Sequence, residues 1–369
     1  PLSVDSVFVS RSFWNYYLHP CQKTYAMELA KRPNSHVIWF DPPTRNPRTW
    51  LRERKQIDPS GVILRRPLAL CNEYENFGPA DRLLFRIQLR SSLSVSQKPD
   101  LWSIACPHPW LAVSPSFSNC IYWPGDFFEP MEEFPLYQNY DLIMPWTPAG
   151  IEGVPDSFRG GVFRASTCPG EAFLLHDTSA PLRPCFDFRN RFRKSIVYLG
   201  GLSTRRVDFP LLNALAESLS DHALLLGAKP DGLPETTAAL DKLLTNSNVF
   251  LFDDLDYPDL PYLAQAADVG IIPYLVNDHT LGICPNKLFE YAALAKPVVS
   301  SPVPAMEQYS PPVRIARDHD SFLRSVREAV APPPAREECS LLRSLAEEAS
   351  PSEALHRIAR TLTKPITHA

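Results

Sequence analysis

Apolar residues fall along this chain in short runs rich in β-branched and aromatic side chains, and longer stretches with apolar positions every three or four residues lie between them. In the first half the short runs are residues 6–10, 37–41, 100–105, 119–123 and 142–146, with helical spacing over 25–31 and around 82–93. Runs of this length alternating with helices predict β-α-β units and a parallel sheet with right-handed crossovers. In the second half, strands at 195–201, 223–227, 249–252, 269–273 and 297–300 alternate with helices at 209–218, 236–244 and 260–267 and one holding Lys287 and Glu290. This predicts a second, doubly wound sheet. Between about 166 and 193 the prolines Pro169, Pro181 and Pro184, Gly170 and several arginines break any periodicity. The expected division is therefore 1–175, a linker at 176–194, a second domain at 195–335, and tail helices within 336–369 at 339–349 and 352–362.

Composition adds limits to this picture. A chain of 369 residues is long enough for two cores, and 44% hydrophobic with 21% charged residues is the balance of a globular protein rather than a disordered one. A formal charge of −4 offers no general basic field and argues against a nucleic-acid partner. The eight cysteines are scattered, with no spacing that builds a zinc site, and read as reduced thiols in a cytoplasmic protein. No apolar run approaches the ~18 residues of a membrane span. The 39 prolines, many just after short apolar runs, mark strand ends.

Ligands of open parallel sheets sit beyond the carboxyl ends of the strands. After residues 269–273 come Tyr274, a loop containing Thr280, and Pro285-Asn286 opening a helix. Free N–H groups at Asn286 and Lys287 suit a diphosphate, the Lys287 charge adds to them, and Glu290 one turn on suits two ribose hydroxyls. Taken alone, an Asn-Lys-x-x-Glu spacing fits equally the capped, solvated face of a surface helix.

The neighbours change that weighing. Residues 285–291 (Pro-Asn-Lys-Leu-Phe-Glu-Tyr) follow an Ala-Asp-x-Gly-Ile-Ile-Pro-Tyr strand and precede Ala295-Lys296-Pro297-Val298-Val299-Ser300. Together they resemble the hallmark of bacterial GT-B glycosyltransferases of the family 1/4 type, notably those of teichuronic-acid, capsule and exopolysaccharide assembly. Ala295 stands where that hallmark has glycine. Tyr198-Leu199-Gly200-Gly201 followed by Arg205 and Arg206 is similar to the family's first strand and phosphate-facing turn, with either arginine available for the phosphate. Phe252 lies where such proteins cradle the base, and Phe13-Trp14, His19, Gln22 and 28–30 resemble the family's entry helix, with Lys23 in place of arginine.

The resemblance implies two Rossmann-like α/β domains of GT-B type and sugar transfer from a nucleotide-diphosphate donor, with uridine the default base, to a saccharide or lipid-linked acceptor. It implies no metal or other cofactor, because basic side chains and a helix dipole neutralise the leaving diphosphate. It also implies a tail helix crossing back to the first domain. Asp126, after the strand at 119–123, is the candidate base, or else a loop carboxylate holding backbone N–H groups; His19 is the second candidate. Gly282 stands eight positions before Glu290, where related retaining enzymes carry glutamate, so an inverting displacement with Asp126 is expected. A nucleotide-sugar epimerase and a non-catalytic nucleotide-sugar-binding partner are the alternatives. Arg82, Arg86 and Arg90 form a stripe that either is a solvated helix face or meets anionic lipid at the inner face of the plasma membrane.

Overall fold

The first strands are buried at every position because both their faces are covered. The computed structural model describes residues 2–14, 21–93, 98–105, 107–114, 116–124, 137–177, 187–331 and 333–363. It separates into Pro1–Ala165 with Pro351–Ala369 (unit 1) and Ser166–Ser350 (unit 2). In unit 1, β1 (Ser6–Ser10), β2 (Val37–Phe40), β5 (Asp100–Ile104) and β6 (Cys120–Trp123) are buried throughout, as strands sandwiched between helices must be. The short strands β3 (Gln56–Ile57), β4 (Ile63–Arg65), β7 (Leu142–Ile143) and β8 (Gly161–Val162) extend the sheet to the order β3-β4-β2-β1-β5-β6-β7-β8. Pairing is parallel except between β3 and β4 at the edge.

Register puts one aromatic residue from each of three central strands side by side. Phe8 pairs with Trp39 and Trp102, and their rings stack at 5.5 and 5.2 Å. Residues of the opposite parity, Val7, Val9, Ile38, Phe40 and Leu101, join Phe85 and Leu89 of the helix Pro79–Arg90 in a separate cluster. That helix starts three residues before the expected 82, with Pro79 in its first turn, where a missing N–H costs nothing.

Unit 2 contains β9 (Lys194–Leu202), β10 (His222–Pro230), β11 (Val249–Leu251), β12 (Val269–Ile272), β13 (Val298–Ser300) and β14 (Arg314–Ile315). Their order β11-β10-β9-β12-β13-β14, all parallel, is the doubly wound 3-2-1-4-5-6 arrangement with its reversal between β9 and β12. The edge strand β14 was not expected: two half-buried residues leave little pattern to read. Of the tail helices, Arg336–Glu348 packs in unit 2 on the helix Lys287–Ala293, and Pro351–Thr363 packs in unit 1 on Cys21–Ala30. Unit 2 begins ten residues before the expected linker, because Thr167 and Gly170 already bond within it, to Cys284 and Tyr257.

One core residue of unit 1 carries a pH signature. His108, fully buried beside Tyr74, has no hydrogen-bond partner at either ring nitrogen, and burial drives its pKa down to about 3. Below the ordinary imidazole pKa of ~6.5 the unfolded chain takes up a proton that the folded chain refuses, so stability falls as pH drops from there toward 3. His108→Phe should remove this component: its stability advantage over the wild type in urea unfolding should grow by roughly 1 kcal/mol per pH unit below about pH 6. Parallel pH curves for the two proteins would show that His108 is protonated in the folded state.

Candidate functional site

The reversal of strand order in unit 2 leaves the loops after β9 and β12 facing one another. Backbone bonds stitch them together: Val207 bridges to Tyr274, Asp208 N–H donates to Pro273 O at 2.9 Å, and Leu275 N–H to Arg206 O at 2.8 Å. Asp208 also caps the helix Phe209–Ser218 through Leu211 N–H. The Arg206 side chain is thereby delivered over the Tyr274 ring, 5.6 Å from its centre, with one nitrogen 3.4 Å from Gly201 O. Arg205, its neighbour, faces solvent. Of the two arginines left open by the sequence, Arg206 is the one whose side chain lies against Tyr274.

Lys287 approaches the same ring from the other side. Its Nζ donates to the Tyr274 hydroxyl at 2.6 Å and lies 5.2 and 5.0 Å from the ring centres of Tyr198 and Tyr274. The residue is 7% exposed and forms no salt bridge among the described residues. Its hydrogen-bond partner is a neutral phenol, and the opposing charge it feels is the Glu290 carboxyl one turn on, with which it forms no ion pair. Burial alone would raise the Tyr274 pKa, but Lys287 and Arg206 outweigh it and hold the phenol below its ordinary value. Gly200, at φ +120°, leaves room for this ammonium: a Cβ there would stand 3.0 Å from Nζ.

Glu290, one turn further along, is 6% exposed and accepts from the Tyr257 hydroxyl at 2.9 Å; that hydroxyl accepts from Gly170 N–H at 3.1 Å. Burial pushes its carboxyl above the usual range, against the opposing pull of Lys287 and Tyr257. Its second oxygen accepts no hydrogen bond from the described residues. The half-buried Asn286 side chain is likewise without a hydrogen bond, so it does not cap the helix Lys287–Ala293. Tyr291 fixes the helix to the sheet, accepting from Leu199 N–H at 2.9 Å and lying so close to β12 that a Cβ on Gly270 would come within 2.4 Å of its ring.

Other expected site residues lie elsewhere. The buried Thr280 hydroxyl is turned into its own loop, donating to Leu275 O and bonding with Asn277, which removes it from any ligand. Phe252, half-buried just beyond β11, is fixed by its N–H to Leu226 O at 2.8 Å. Asp126 and His19 lie outside the described residues. Tyr198 and Tyr257 were missed as site residues. A phenol that serves Glu290 from 33 positions away leaves no local signal.

Residues 193–330 match the family described as Glycosyl transferases group 1. A protein of Bacillus subtilis (strain 168), provisionally named teichuronic acid biosynthesis glycosyltransferase TuaH, is 29% identical over 122 residues, which cover 32% of this chain and 30% of that protein. Among solved structures, the UDP-forming alpha,alpha-trehalose-phosphate synthase of Burkholderia xenovorans in complex with glucose-6-phosphate superposes with a TM-score of 0.70 at 13% identity, covering 98% of this chain and all of that one. The sucrose-phosphate synthase of Thermosynechococcus elongatus gives 0.66 at 14%, covering 97% and 99%. At these identities the likeness is one of fold, and the fold is GT-B.

The end of the Lys287–Ala293 helix supplies a stability test. Lys296 N–H bonds to Tyr291 O and Ala295 N–H to Ala292 O, the paired closure that places the intervening residue in the left-handed region, here Ala295 at φ +52°. Alanine there is strained where glycine is not. Ala295→Gly should stabilise unit 2 by about 1 kcal/mol, visible as a rise of a few degrees in its melting temperature. A lower melting temperature would mean that the buried methyl outweighs the strain.

Proposed function

With residues 193–330 a Glycosyl transferases group 1 domain in a chain of GT-B fold, we propose that this protein transfers a sugar from a nucleotide-diphosphate donor, with uridine as the base, to a saccharide or lipid-linked acceptor in cell-surface polysaccharide assembly. The observation that carries the donor reading is the buried Lys287 ammonium, which forms no ion pair among the described residues, with Arg206 over the same Tyr274 ring, so that two cations meet beside a single buried acid, Glu290. An arriving diphosphate supplies the further negative charge. When the bond from the anomeric carbon to the phosphate oxygen breaks, negative charge grows on that oxygen, and two preorganised cations in a poorly solvated site favour that state without a metal ion. Glu290 offers its open oxygen to the ribose hydroxyls, and the glycines Gly200 and Gly201 let backbone approach the phosphates. On the acceptor side Asp126 is the proposed base. The name carried by the B. subtilis relative supports the polysaccharide setting.

Lys287→Met keeps the aliphatic stem and removes the charge. It should leave the free protein folded and abolish the rise in its melting temperature produced by UDP. A full UDP response in Lys287→Met would remove the donor site from this position. Glu290→Gln should weaken UDP roughly tenfold while leaving inorganic pyrophosphate, which has no ribose, unaffected. Equal weakening of both would mean that Glu290 acts on the phosphates or on the fold.

Contact with an anionic membrane surface belongs to the same proposal, supported by the helix Pro79–Arg90. Phe85 and Leu89 pack inward, whereas Leu83 and Ile87, on the opposite side of the helix, are 61% and 57% exposed beside the exposed Arg82, Arg86 and Arg90. Apolar side chains ringed by arginines suit a headgroup layer. Among the described residues no helix is long and apolar enough to cross a membrane. Replacing Arg82, Arg86 and Arg90 together by alanine should abolish sedimentation with phosphatidylglycerol vesicles; unchanged sedimentation, or none for the wild type, would remove the membrane from the proposal.

A further inference from the structure

Unit 1 has its own reversal of strand order, between β1 and β5, and the carboxyl ends of β1, β2 and β4 gather a group of side chains that the donor reading does not use. Asp41 is the first residue after β2. Its Oδ1 accepts from Trp14 N–H at 2.7 Å and from Trp39 Nε1–H at 3.1 Å, and Tyr74 donates to its backbone oxygen at 2.7 Å. The carboxylate is therefore fixed by three elements. Its Oδ2 accepts nothing from the described residues and is not sealed from solvent.

Around this oxygen the surface has the mixed character that sugars need. Phe13 is 41% exposed, and the Arg66 guanidinium, bound to Glu53, lies 4.9 Å from its ring centre. One ring face is thus occupied by a cation, which leaves the other for C–H groups of a pyranose. The Trp14 indole is held by Asp58 at 2.8 Å and covered by the Lys23 ammonium at 4.6 Å. Three charged groups therefore act on the Asp41 carboxylate, Arg66, Glu53 and Lys23, while Asp58 holds the far end of the Trp14 indole.

We infer that the end of β2 in unit 1 is a saccharide-binding subsite in which Asp41 Oδ2 accepts a hydrogen bond from a sugar hydroxyl while Phe13 packs against the ring. Nothing in the family match, which covers residues 193–330, assigns a role to it. Reading that saccharide as the acceptor rests on the function proposed above; the binding itself does not. A rigid carboxylate with one engaged and one open oxygen is preorganised to grip a hydroxyl, since no side-chain freedom is lost on binding. Burial raises the Asp41 carboxyl to about 6, against Trp14, Trp39 and Arg66, so the acceptor form predominates only above that pH.

The test uses the full chain with methyl α-D-glucopyranoside, methyl β-D-galactopyranoside and N-acetylglucosamine as probes, read by saturation-transfer NMR. In Asp41→Asn the amide oxygen still accepts from Trp14 and Trp39, but the amide nitrogen in place of Oδ2 donates. Phe13→Ala touches none of these bonds. The wild type should saturate at least one probe, and each variant should bind it roughly tenfold more weakly. Wild-type binding should also weaken as pH falls through the Asp41 pKa, a dependence that Asp41→Asn lacks. Equal saturation of wild type and both variants, or no saturation of the wild type by any probe, overturns the subsite. Melting shifts with UDP are recorded on the same samples: their absence would count against the donor site, whereas the sugar signals decide the subsite alone.

Discussion

The ammonium of Lys287 sits where water is scarce and forms no ion pair among the described residues, with the Glu290 carboxyl one turn away, and much of unit 2 is arranged to make that tolerable. Two tyrosine rings lend their electron-rich faces, a phenol oxygen accepts one of its protons, and a glycine keeps the neighbouring backbone at a distance. Such a charge is held at a cost to the free protein, and the cost falls when an anion arrives. The same fact makes the site selective for what carries negative charge and accounts for the loop-to-loop stitching that keeps Arg206 in register with it.

Both units have their strand order reversed at the first strand, yet their carboxyl edges differ. Unit 2 has phenols and cations there, with the Glu290 carboxyl buried one turn beyond Lys287. Unit 1 has indoles and the pinned Asp41 carboxylate, a surface with an acceptor and an aromatic face.

Strand positions were legible because doubly covered strands are mostly apolar, so runs such as 37–41 and 269–273 stand out. The two-residue strands at 56–57, 161–162 and 314–315 were not legible, since their pairing is dictated by neighbours rather than by any pattern of their own. Lys287 and Glu290 could be found because their spacing and surroundings are local. The choice between Arg205 and Arg206 depends on backbone bonds to residues 273–275, some seventy positions away, and the inward turn of Thr280 on a loop closing upon itself. Asp41 was passed over because a carboxylate just after a strand is common, and its two indole partners become visible only when the strands are paired.

Unit 2 is one continuous stretch of chain, whereas unit 1 needs its first 165 residues and also the helix Pro351–Thr363, whose Ala354, Leu355 and Ile358 are buried. Synthesis runs from the amino end, so the first-made sheet must wait with the surface of Cys21–Ala30 uncovered while 185 further residues emerge and fold. The usual sequence of domain completion on the ribosome is thereby inverted: the later unit closes first, and the earlier one is sealed by the last helix. During that interval the apolar surface that Pro351–Thr363 will cover stays exposed.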